Sequence, residues 1–152
     1  MTERLRIKRL LVPVDGSECS RYAAEHAVRI AAEYGAEIVF LHAVDEVVVS
    51  QLAQHDSDDG RALVRERLLA QGQTFTRDAA RLAGGRVSCR EEVAEGDPCA
   101  LICESAAASD ADLIIMGKAG RRGTRRILMG SVTRRVIEST DVPVLVVAHP
   151  PR

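Results

Sequence analysis

The sequence predicts a single α/β domain whose parallel sheet is covered by helices on both faces, in three layers. Three observations predict it. Strand-sized apolar runs alternate with helix-period segments from end to end, and those runs are almost continuously apolar. The chain has 152 residues and is 46% hydrophobic, enough for one core and too short for two. Aromatic residues make up only 3%, with no Trp, so that core is aliphatic. This apolar fraction excludes disordered and fibrous classes. No run reaches the roughly 18 apolar residues of a membrane span, and Met1 to Arg6 lacks the apolar stretch of a signal peptide. The expected location is the cytoplasm, with no membrane partner.

Five strands and four helices are expected. Ile7 to Val14 is a β-branched run that ends in the turn signal Asp15-Gly16-Ser17. Ser20 to Tyr34 places apolar residues at 23, 24, 27, 28 and 31, one helical stripe, and Gly35 stops it. Ala36 to Val44 reads as a buried strand. A polar segment to Gly60, taken as an acidic loop, leads into a helix from about Arg61 to Ala83, broken by Gly84-Gly85. Arg86 to Ala94 is a weaker strand. Asp97-Pro98 supplies an N-cap and a first-turn proline for a helix to about Ser109. Ala111 to Met116 is a continuous apolar strand. A Gly- and Arg-rich loop, a helix from Ser131 to about Ser139 and a final strand from Val142 to Ala148 close the chain.

Ligands of such sheets bind beyond the carboxyl ends of the strands, so chemistry is sought in the following loops. The net charge of −1 hides a cationic segment: Gly117 to Arg135 holds seven basic residues (118, 121, 122, 125, 126, 134 and 135) and no acid. That suggests a local anionic ligand. Within the segment, glycines 117, 120 and 130 give a ligand close access to the main chain. Gly130-Ser131-Val132 opens a helix whose first amides lack internal partners, a phosphate cradle without a Walker A lysine. A Cβ at Gly117 or Gly130 is expected to fill that cradle and leave the fold intact. Asp15, at the end of the first strand beside Pro13 and Val14, is a candidate for a ribose hydroxyl or a magnesium ion on bound phosphates.

Other chemistries find less support. The four cysteines (19, 89, 99 and 103) read as reduced thiols in a chain without an export signal, and Cys99 and Cys103 have no second metal-ligand pair nearby in sequence. Acids 56, 58 and 59 lack the glycine and closing glutamate of a calcium loop. None of the histidines (26, 42, 55, 149) has a nucleophile at a useful spacing, and no catalytic residue is assigned. No aromatic residue interleaves the arginines, which argues against nucleic acid as a partner.

The spacing Gly117-x2-Gly120-x9-Gly130-Ser131 resembles the ATP-binding motif of the universal stress protein family. So do the opening strand with Pro13 and Asp15, the LHAVDE segment at 41–46, the Gly96-Asp97-Pro98 helix start and the closing VPVLVV. The likeness spans essentially the whole chain. It implies a sheet in order 3-2-1-4-5 of the adenine-nucleotide alpha-hydrolase-like class, with nucleotide at the switch point between the first and fourth strands. Carried over by position, it implies that Pro13, Val14 and Met116 line the pocket and Asp15 lies near ribose and phosphates. Ala43 would meet adenine through its backbone, and Gly117, Gly120, Gly130, Ser131 and Val132 would wrap the phosphates and ribose, with Arg121 beside them. Lys118-Ala119 departs from the Ser/Thr-His found in many relatives.

The implied function is that of an ATP-binding stress-response protein, with ATP and magnesium as cofactors and an unidentified regulatory protein as partner. The final strand, Val142 to Ala148, carries no blocking charge and is expected to pair with its copy in a homodimer. A slow ATPase or phosphotransfer enzyme and a nucleotide-free adaptor dimer are the alternatives.

Overall fold

In the three central strands, buried apolar residues of both parities give the sheet two buried faces. The computed structural model describes residues 5–119 and 129–148. In chain order its elements are β1 (Arg9–Pro13), α1 (Glu18–Tyr34), β2 (Glu37–Asp45), α2 (Glu46–Leu52), α3 (Asp58–Ala83), β3 (Cys89–Gly96), α4 (Pro98–Ala108), β4 (Leu113–Gly117), α5 (Ser131–Ser139) and β5 (Val144–Val147). All strand pairs are parallel, in the order β3-β2-β1-β4-β5. The sheet order is the one the resemblance implies. It reverses direction between β1 and β4, where a crevice must open at the carboxyl ends.

On one face Leu10, Val12, Ile38, Phe40 and Ile115 pack against the alanine stripe of α1 and against Ala79 and Ala83 of α3. On the other, Leu11, Val39, Leu41, Ile114 and Met116 meet Cys99, Ile102 and Ala106 of α4 and Val136 of α5. Phe40 and the leucines and isoleucines among these strand residues are at most 2% exposed. Each such side chain contributes about 1.5–3 kcal/mol by burial.

Local signals set the helix ends. Ser17 caps α1 by accepting from the Ser20 amide, and Gly35, at φ 68°, closes it with its N–H on the Ala31 carbonyl. Asp97 caps α4 by accepting from the Ala100 amide, and Pro98 follows in the first turn. Asp112 accepts from the amides of Lys8 and Arg9 at 2.7 and 3.0 Å, fastening β4 to the entry of β1.

The structure corrects the expected loop between the second strand and the long helix. Among the described residues there are five helices where four were expected, because Asp45 caps a short α2 by accepting from Val47 N. Its run Val47-Val48-Val49 has β-branched residues that favour strands, which hid the helix. Asp58 and Asp59 form the first turn of α3, which Ser57 caps. Their carboxylates favour the positive end of the helix dipole there. β3 runs from Cys89 to Gly96, starting three residues later and ending two residues later than expected, because its pairing with β2 begins at Ile38–Cys89 and continues to Asp45–Gly96. β5 is shortened to Val144–Val147. All four cysteines are free, and burial, then Cys99, push the Cys103 thiol above its ordinary value. No helix among the described residues is long and apolar enough to cross a membrane.

Candidate functional site

The carboxyl end of β1 ends in a turn built by its own polar side chains. Asp15 Oδ1 accepts from the Ser17 amide at 3.0 Å, and the Asp15 amide donates to Ser20 Oγ at 3.3 Å. Gly16 sits at φ 78°, and a Cβ there would run into the Phe75 ring of α3. The turn therefore requires glycine twice over, for its backbone angle and for the ring above it.

The end of β4 is joined to the start of α5 by short bonds. Lys118 N donates to Val147 O at 2.9 Å, Gly130 N to Lys118 O at 2.8 Å, and Thr133 Oγ1 to Gly117 O at 3.0 Å. Gly130 caps α5 with no side-chain hydrogen bond. The first-turn amides of α5 consequently have no intrahelical or side-chain acceptor among the described residues. They hold the positive end of the helix dipole.

Between these two ends lies a cavity of about 930 Å³. Of the positions expected from sequence, Pro13, Val14, Asp15, Ala43, Met116, Gly117, Gly130, Ser131 and Val132 all line it. Gly120 and Arg121 lie outside the described residues, as do Arg122, Arg125, Arg126 and His149. Arg134 also borders the cavity. Arg135, by contrast, is committed elsewhere. Its guanidinium grips Asp97 with two bonds of 2.9 and 3.0 Å, and this pair, then the Ala100 amide, holds the Asp97 carboxyl below its ordinary range.

Gly117 corrects the expectation that a Cβ would only fill the cradle. A Cβ there would lie 2.8 Å from the backbone carbonyl carbon of Cys19 and 2.9 Å from its Cβ. Glycine at 117 lets α1 pack against the end of β4, so a larger residue strains the fold itself.

Sequence reasoning missed the cover of the cavity. Val48 and Leu52 of α2 and Leu68, Gln71 and Phe75 of α3 close one side. Leu68 and Phe75 belong to an apolar line that looks like an ordinary core stripe, and nothing local marks them otherwise. His42 was also missed. Its Nδ1 donates to Val14 O at 2.7 Å, its ring meets Phe75 edge-on with centroids 5.2 Å apart, and it lines the cavity.

Chemically, the cavity combines an apolar wall (Val14, Leu41, Val44, Ile102 and Met116) with the main-chain donors at the start of α5 and the carboxylate of Asp15 at the end of β1. Such a site suits a flat apolar ring carrying an anionic tail.

The sequence profile of the Universal stress protein family matches residues 6–148. Universal stress protein MJ0531 of Methanocaldococcus jannaschii is 39% identical over 144 residues, covering 94% of this chain and 83% of the relative. The solved structure of protein MJ0577 from the same organism is 25% identical, with a TM-score of 0.85 over 97% of this chain and 100% of that one. A universal stress protein solved in complex with cAMP shares the fold, at 24% identity and a TM-score of 0.69, covering 96% of this chain and 100% of its own.

Proposed function

The chain belongs to the universal stress protein family, and from that premise we propose that it binds ATP in the cavity between β1 and β4. The observation that carries this reading is the uncapped start of α5 facing that cavity at the reversal point of the sheet. The α5 amides and the Ser131 hydroxyl donate to the phosphates. Charge-assisted bonds of about 1.5–3 kcal/mol each dominate there, with about 0.3–1 kcal/mol from the helix dipole. The Ala43 backbone meets adenine, and Asp15 lies near the ribose and phosphates. One carboxylate plus substrate phosphates suits magnesium, which would offset the charge of the tail at Asp15. The adenine nucleotide held by the family member solved with cAMP supports the same ligand class.

The protein then works as a cytoplasmic stress-response regulator whose bound nucleotide alters its contacts with a partner. Its β5 forms the sheet edge with Leu145 39% exposed, and supports a homodimer by antiparallel pairing of that strand with its copy. Mass and absorbance analysis of purified protein is expected to find bound adenine nucleotide, and calorimetry to register ATP binding. Protein free of nucleotide and calorimetrically silent would refute the reading. Sedimentation at micromolar concentration is expected to give a dimer, and a monomer would refute the β5 pairing. Multiple-turnover phosphate release would favour the enzyme alternative.

A further inference from the structure

β2 turns its backbone groups alternately to its two neighbours. Glu37 N donates to Lys8 O and Leu41 O accepts from Val14 N, so odd residues face β1; Ile38 N donates to Ser88 O, so even residues face β3. In a parallel ladder, the Val14 N to Leu41 O rung is followed by one from Ala43 N to Val14 O. Among the described residues that second rung is missing, and its acceptor is taken instead by His42 Nδ1 at 2.7 Å. A carbonyl only accepts, so Nδ1 carries the proton.

We infer that His42 is a positioning residue: its imidazole ends the β1–β2 ladder one rung early and leaves the Ala43 N–H turned to the cavity, where it reads the base of a nucleotide. The ring is wedged to do this. Phe75 meets it edge-on, and α3 approaches so closely at Gly72 that a Cβ there would lie 2.5 Å from His42 Cδ2. The N–H and C=O of Ala43 then face one side together. That donor–acceptor pair matches the N1 acceptor and N6 amino donor of adenine, and opposes the N1–H donor and O6 acceptor of guanine. This inference rests on the reading of the cavity as an adenine-nucleotide site.

The test compares wild type, His42→Asn and His42→Leu. Asparagine puts an N–H close to the position of Nδ1–H and retains the tether; leucine has no donor, so the Ala43 N–H is free to close onto Val14. Amide exchange without nucleotide is expected to find the Ala43 amide much less protected than the Val14 amide in wild type and His42→Asn, and protected in His42→Leu. ATP affinity is expected to fall roughly five- to tenfold in His42→Leu, the effect of one hydrogen bond, with the preference for ATP over GTP reduced. Affinity for inorganic tripolyphosphate stays unchanged in all three. An Ala43 amide as protected as that of Val14 in wild type overturns the inference, as does unaltered ATP affinity and base preference in His42→Leu. Failure of ATP to bind any of the three, with the exchange pattern intact, overturns the ATP reading and the base-reading role while leaving the interrupted ladder established.

Discussion

Replacing Gly117 by alanine separates a packing role from a ligand-cradle role at the same position. The added Cβ would lie 2.8, 2.9 and 3.0 Å from the carbonyl carbon, Cβ and carbonyl oxygen of Cys19. Two of these are backbone atoms inside the first turn of α1, so no rotamer change relieves the contact. The helix start must move by several tenths of an ångström or β4 must bend away. Overpacking of this kind costs about 1–3 kcal/mol. With a urea slope of about 1.5–2 kcal/mol/M, the unfolding midpoint should fall by roughly 0.5–2 M. Ser17 and Ser20, on the same turn, border the cavity, so ATP affinity should fall with stability. A variant that loses ATP binding while keeping the wild-type urea midpoint would refute the packing argument.

Gly72→Ala should also destabilise, although alanine in a helix interior ordinarily gains about 1 kcal/mol over glycine. Contacts of 2.5 Å to His42 Cδ2 and 3.0 Å to Val93 Cγ1 outweigh that gain; a raised thermal midpoint would contradict this. At Asp97, the Arg135 guanidinium and the Ala100 amide hold the carboxyl below its ordinary 3.8. A lowered folded value means the stabilisation is present above 3.8 and is lost as pH falls through the folded value. The gap in urea midpoint between wild type and Asp97→Asn should therefore hold near neutrality and shrink in acid, and a gap that persists unchanged in strong acid would count against the pair.

Periodicity carried most of the fold, because strands buried on both faces write long apolar runs and α1 writes a clear stripe. Asp97-Pro98 and Gly35 marked their helix ends for the same local reasons that operate in the structure. α2 escaped because three valines in a row give a strand signal, and only the cap at Asp45 and tertiary packing make a helix of them. Nine positions read from spacing and family likeness do line one cavity. What spacing cannot carry is contact between distant segments. Gly117 against Cys19, Gly72 against His42, and His42 on the Val14 carbonyl depend on how helices seat on the sheet, so a glycine that looked like a ligand contact is also a packing contact.

The most direct test of the nucleotide site is an amide-resolved NMR titration of the protein with ATP. Saturable shifts are predicted at Asp15, Ala43, Ser131 and Val132, the residues at the two ends of the cavity. An unchanged spectrum, or shifts confined to residues away from the carboxyl ends of β1 and β4, would contradict the account.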